Sequence, residues 1–233
     1  MSVLTSVGIM LLSMLVMALL QLVPGVFAIF SHYANGKYSR NKATDLATFF
    51  ILGAESAVVV IFLSVYAILC ATPAMTYVVD SELFGWIIAG VFIALALVVL
   101  GLYYRKSKGS ELFIPRSFAS NLRARLPGIK SRSDAFTMGL FSTVPELVIT
   151  LPLYIIVAVT VMRLGETSPE RAGMIMLFTL AAVAPLLIMH TVSHYRNMAD
   201  YMRFRFRHKN FFRFMIALCY LLIAGLIIIG VVA

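Results

Sequence analysis

Six apolar stretches, near residues 7–30, 47–70, 84–103, 136–162, 173–193 and 211–232, leave this chain little choice of architecture. Each is long enough to cross the hydrocarbon core of a bilayer, which takes roughly 20 residues of helix. The runs are continuous and do not alternate polar with apolar, so they read as helices and not as strands of a β-barrel. A hydrophobic content of 61% over 233 residues, with a mean hydropathy of +0.97, does not fit a water-soluble domain. The sequence predicts an all-α polytopic membrane protein with six transmembrane helices.

A net charge of +9 invites a nucleic-acid reading until the charges are placed. Lys37, Arg40 and Lys42 lie between spans one and two, the run from Arg105 to Arg132 lies between three and four, and the run from Arg196 to Arg213 follows span five. Only Arg163 and Arg171 fall on the other side, beside Asp80, Glu82, Glu166 and Glu170. Seventeen of the 19 basic residues thus share one face, which the positive-inside rule makes cytoplasmic. A multi-pass protein of the cell (inner) membrane is expected, with both termini outside. No Lys or Arg precedes Lys37, so the first span reads as a retained helix and not as a cleaved signal peptide.

Within the longest loop, Phe118, Leu122 and Leu126 recur every four residues beside Arg116, Arg123 and Arg125. That spacing predicts a short amphipathic helix on anionic lipid headgroups. The aromatic and basic stretch Tyr201–Arg213 has the same interfacial character. The expected partners are the lipid bilayer and its anionic headgroups, with no nucleic acid.

The two halves echo one another. Gln21-Leu22-Val23-Pro24-Gly25-Val26 in the first span parallels Ser142-Thr143-Val144-Pro145-Glu146-Leu147 in the fourth, and three spans begin at each copy. An odd number of spans per copy places the copies in opposite orientations. Inverted repeats with matched broken helices are a building plan of secondary transporters. The expected division is a first three-helix repeat over 1–103, a cytoplasmic linker over 104–135 and a second three-helix repeat over 136–233. Pro24 and Pro145 should each break a helix near the bilayer centre, because each removes a backbone donor.

Glu55 and Glu146 stand out inside the spans, roughly 12–15 Å from the cytoplasmic edge at ~1.5 Å per residue. A charge at such depth costs at least ~2.5–3.5 kcal/mol, so an intramembrane carboxylate is first read as functional. Gln21, Ser142 and Thr143 add polar groups at the same breaks, and with Pro24 and Pro145 they complete a predicted solute or ion site. The competing reading is structural, with Glu55 protonated or paired with Gln21 or a backbone group. Gly53 and Gly139 are expected to let helices approach closely.

His190 and His194 share a helical face and form a candidate metal pair. The Glu of a His-Glu-x-x-His motif is missing, and solvated interfacial histidines explain the pair as well. Cys70 and Cys219 have no C-x-x-C spacing. With no phosphate-binding loop, Walker motif or catalytic triad pattern, no enzyme and no cofactor is expected.

The three-plus-three inverted arrangement, the Pro-broken first and fourth spans and the ending Leu222-Ile-Ala-Gly-Leu-Ile-Ile-Ile-Gly230 together resemble the LysE-type exporter superfamily. That resemblance implies export of a small solute or cation. The superfamily's CcdA-like branch carries cysteines beside the two prolines. Here those positions read Val23-Pro24-Gly25 and Val144-Pro145-Glu146, a departure that speaks against thiol-reductant carriage. The Asn-Pro of the amino-acid exporter branch is also missing, so no substrate class carries over. A secondary transporter is the leading expectation. A membrane assembly or interaction protein, as a homo-oligomer or with other chains, and a membrane enzyme using the histidines stand as alternatives.

Overall fold

Where the chain departs from helix decides where polar groups gather, and it does so at two places along otherwise apolar spans. The structure is a computed structural model, and it describes residues 2–20, 22–72, 77–78, 81–101, 124–165, 167–195 and 207–232. Its helices are α1 (Val3–Leu19), α2 (Leu22–Lys37), α3 (Arg40–Ala71), α4 (Glu82–Gly101), α5 (Arg132–Ser142), α6 (Leu147–Leu164), α7 (Ser168–Tyr195) and α8 (Lys209–Val232). Among the described residues, α3, α4, α5 with α6, α7 and α8 are long and apolar enough to cross a membrane, and α1 is a shorter apolar helix. Spans two to six fall where the sequence predicts them, within a few residues at most ends.

The first span differs from expectation. Instead of one helix over 7–30, α1 ends at Leu19, Leu20 turns extended with ψ 145°, and α2 begins at Leu22. The break precedes Pro24, which sits in the first turn of α2. A proline there sacrifices no intrahelical bond, because the first N–H groups of any helix lack a partner, so Pro24 starts the second helix without bending the first. In the fourth span the break contains its proline. α5 stops at Ser142, a 3₁₀ turn over Val144–Glu146 includes Pro145, and α6 follows at Leu147.

The breaks lie where two apolar cores meet. One core joins α1, α4, α6 and α8 to the C-terminal half of α3 and the N-terminal half of α7. At its centre the Phe62 ring lies 5.0 Å from Phe178 and 6.2 Å from Tyr154. The other core joins α2 and α5 to the opposite halves of α3 and α7, with Phe30 stacked on Phe50 at 5.1 Å. Both α3 and α7 run through the two cores.

The tightest helix pair is α3 with α5, and glycine makes it so. A Cβ on Gly53 would overlap the Phe136 carbonyl, and one on Gly139 would overlap the Phe50 carbonyl. Each glycine thus lies against the other helix's backbone, as the sequence predicts for these two positions. At the nearby end of the bundle, the Tyr38 hydroxyl donates to the Ile129 carbonyl at 2.6 Å and Arg132 Nε to Asp45 Oδ2 at 2.7 Å. These contacts bring the basic ends of α2, α3 and α5 together. The Arg132–Asp45 pair is exposed and adds little stability.

Gln21, residues 116–123 of the expected surface helix and residues 201–206 of the aromatic and basic stretch lie outside the described residues.

Candidate functional site

Pro145 has no N–H to donate, so the end of α5 cannot complete its ladder in the usual way. Side chains take over. Ser142 Oγ donates to the Gly139 carbonyl at 2.6 Å and Thr143 Oγ1 to the Leu140 carbonyl at 2.8 Å. The Glu146 N–H returns to the Thr143 carbonyl at 3.0 Å, closing the 3₁₀ turn. One turn into α6, Thr150 Oγ1 donates to the Glu146 carbonyl at 3.0 Å. Ser142, Thr143 and Thr150 are all buried, with at most 3% exposure, so their protons stay on these carbonyls and out of water.

Around this break lies a small cavity of about 20 Å³. Met17 and Leu20 at the end of α1 close one side, and Ala54 and Val58 of α3 close another. Thr143, Glu146 and Thr150 bring the polar atoms, and the fourth wall is α7 around Pro185. A volume of ~10–15 Å³ suffices for one water, so the space suits a water or a small ion and not an amino-acid-sized solute. Because Thr143 and Thr150 spend their protons on backbone carbonyls, their oxygens have only lone pairs left to offer. Pro185 removes the donor that the Ala181 carbonyl would use in an unbroken α7. A carboxylate among acceptor oxygens favours a proton, a small cation or a donating water over an anion.

The structure brings together only part of the predicted site. Thr143 and Glu146 line the cavity, Ser142 lies behind them and Pro145 forms the turn. Glu55 is half-buried on α3, next to Ala54, and is not among the lining residues. Pro24 lies in the first turn of α2. Thr150 and Pro185 were not singled out by sequence reasoning, although both carried a signal. Thr150 falls four residues after Glu146, on the same helical face, and Pro185 is a mid-span proline.

The histidine pair is placed differently. His190 Nε2 lies 3.3 Å from Thr48 Oγ1, and its ring meets Phe27 edge-on at 6.4 Å, so it packs with the second core. The side chain of His194 is outside the described set. Among the described residues, no three His, Cys, Asp or Glu side chains gather as metal ligands would. Cys70 and Cys219 are both free thiols.

Neither models of known protein families, nor curated proteins, nor solved structures match this chain.

Proposed function

We propose that this protein is a secondary transporter that exports a small cation or solute, with Glu146 as the exchanging group. The observation that carries the reading is the acceptor-lined cavity holding Glu146 where two broken spans meet. A cation that enters the cavity and meets the Glu146 carboxylate can take the place of a proton there, which is the exchange the reading requires. Alternation of two halves about a fixed site converts that exchange into transport.

The helix pairings support an inverted repeat. α3 packs on α5 as α7 packs on α1; α2 packs on α3 as α6 packs on α7; and α1 packs on α6 as α5 packs on α2. Each relation follows from its mate by exchanging the first three spans with the last three. The correspondence is incomplete, because α1 packs along α8 and α5 makes no comparable contact with α4. Membership of the LysE-type exporter superfamily, a cytoplasmic basic face and an inner-membrane location belong to the same proposal.

The test is flux into proteoliposomes under an imposed proton gradient, with monovalent and divalent cations offered in turn. Glu146→Gln keeps the shape and removes the charge. It should lower flux at least ~10-fold, which corresponds to about 1.4 kcal/mol, while the thermal midpoint stays within a few degrees. Glu55→Gln, outside the cavity lining, should lower flux by less than Glu146→Gln does. Parental flux in a folded Glu146→Gln protein would make the carboxylate structural and end this reading.

A further inference from the structure

The cavity at Glu146 lies between two layers of aromatic rings. On α3, Phe50, Ala54, Val58 and Phe62 follow one another at every fourth position, and Ala54 and Val58 line the cavity. On α7, Phe178, Ala182, Leu186 and His190 repeat the order of ring, alanine, branched aliphatic and ring, and Ala182 and Leu186 line the same cavity. At ~1.5 Å per residue, each ring stands about 6 Å along its helix from the nearest lining residue. The two helices run through the two cores in opposite order. Phe62 therefore meets Phe178 on one side of the cavity, at 5.0 Å, and Phe50 and His190 stand on the other.

A third helix completes each layer. Tyr154 of α6 lies 6.0 Å from Phe178 and 6.2 Å from Phe62. Phe27 of α2 lies 6.0 Å from Phe50 and 6.4 Å from His190. Exchanging α3 with α7 and α2 with α6 turns one set of contacts into the other. Phe27, Phe50, Phe62, Phe178 and Tyr154 are all buried, and closely packed apolar rings stop an ion by denying it water. Both α2 and α6 begin just past a break, so Phe27 and Tyr154 can move without unwinding α1 or α5. We propose that the two layers are the gates of the Glu146 cavity and that this structure is its occluded form. Phe62, Tyr154 and Phe178 close it from the end where α6 and α8 finish, and Phe27, Phe50 and His190 close it from the basic end. The proposal rests on the transport reading of that cavity and adds the residues that control entry to it.

Access to the cavity can be read without measuring flux. Val58→Cys places a reporter thiol in the cavity wall of the full chain, with Cys70 and Cys219 replaced by alanine. A small cationic methanethiosulfonate that does not cross membranes is added to right-side-out and to inside-out vesicles. The reporter alone should react slowly from both faces. Phe62→Ala should speed the reaction at least ~10-fold from the face where α6 and α8 end and leave the other face slow. Phe50→Ala should do the same from the basic face only; ~10-fold is well within what loss of a buried ring permits. Phe62→Leu and Phe50→Leu keep more of the packing and should act in the same directions to a smaller extent, so they carry the test if an alanine variant fails to fold. A core that had merely loosened would admit the reagent from both faces. Fast reaction of the reporter alone, equal acceleration from both faces, acceleration by both substitutions from one face or no acceleration in any folded variant would each overturn the proposal. Side-specific labelling together with parental flux in Glu146→Gln would keep the gates and end the role of Glu146, and the opposite pair of results would keep Glu146 and remove the gates.

Discussion

Gly53 and Gly139 mark how little tolerance the α3–α5 contact has. The atom that a new Cβ would strike in each case is a carbonyl oxygen of the facing helix, which cannot rotate aside as a side-chain methyl can. Gly53→Ala and Gly139→Ala should each cost at least the ~1–3 kcal/mol typical of overpacking, read as a fall in thermal midpoint in detergent. Gly90 on α4 is the control, because a Cβ there meets nothing within 4 Å. Gly90→Ala should be neutral or add up to ~1 kcal/mol through helix propensity. If all three behaved alike, the close approach would contribute nothing. The sequence marks mid-span glycines only as candidates for close packing, since Gly90 is as central in its span as Gly53 and Gly139 yet faces open space. Glu55 was less readable. Its depth follows from counting residues, but its direction depends on how α3 is turned against α5, and one residue of offset moves a side chain by 100° around a helix.

At the scale of elements, the hydrophobic runs made spans two to six legible, and the Val-Pro echo marked both breaks. The exact point of the first break was not legible. Pro24 forbids a helical bond at its own nitrogen but does not say whether the chain leaves the helix before it or bends around it. The packing of Leu20 against the cavity accompanies the earlier exit. In the fourth span, the hydroxyls of Ser142 and Thr143 already satisfy two carbonyls, so the break persists without relying on Pro145 alone. Pro145→Ala restores an N–H to the turn and should therefore leave the thermal midpoint unchanged or raise it slightly. Flux should fall several-fold as α5 and α6 gain the option of joining. Full flux with a raised midpoint would mean that the broken form is not needed for transport.

Viewed as a whole, the molecule gathers the basic ends of α2, α3 and α5 on one end, and the start of α4 with the C-terminal ends of α6 and α8 on the other. Single cysteines introduced beside Arg40 and Arg123, with Cys70 and Cys219 replaced, should resist a membrane-impermeant reagent added to intact cells, whereas a cysteine at Ser2 should react. Reaction beside Arg123 would invert the topology. The contact between α1 and α8 has a consequence in time. α1 is made well before α8 yet packs along it, with Gly8 set against Leu226. Its contacts with α6 and α7 can form first, and the face it turns to α8 stays against lipid until α8 is made. A chain stalled before α8 therefore leaves both α1 and α4 without the helix that packs on each of them.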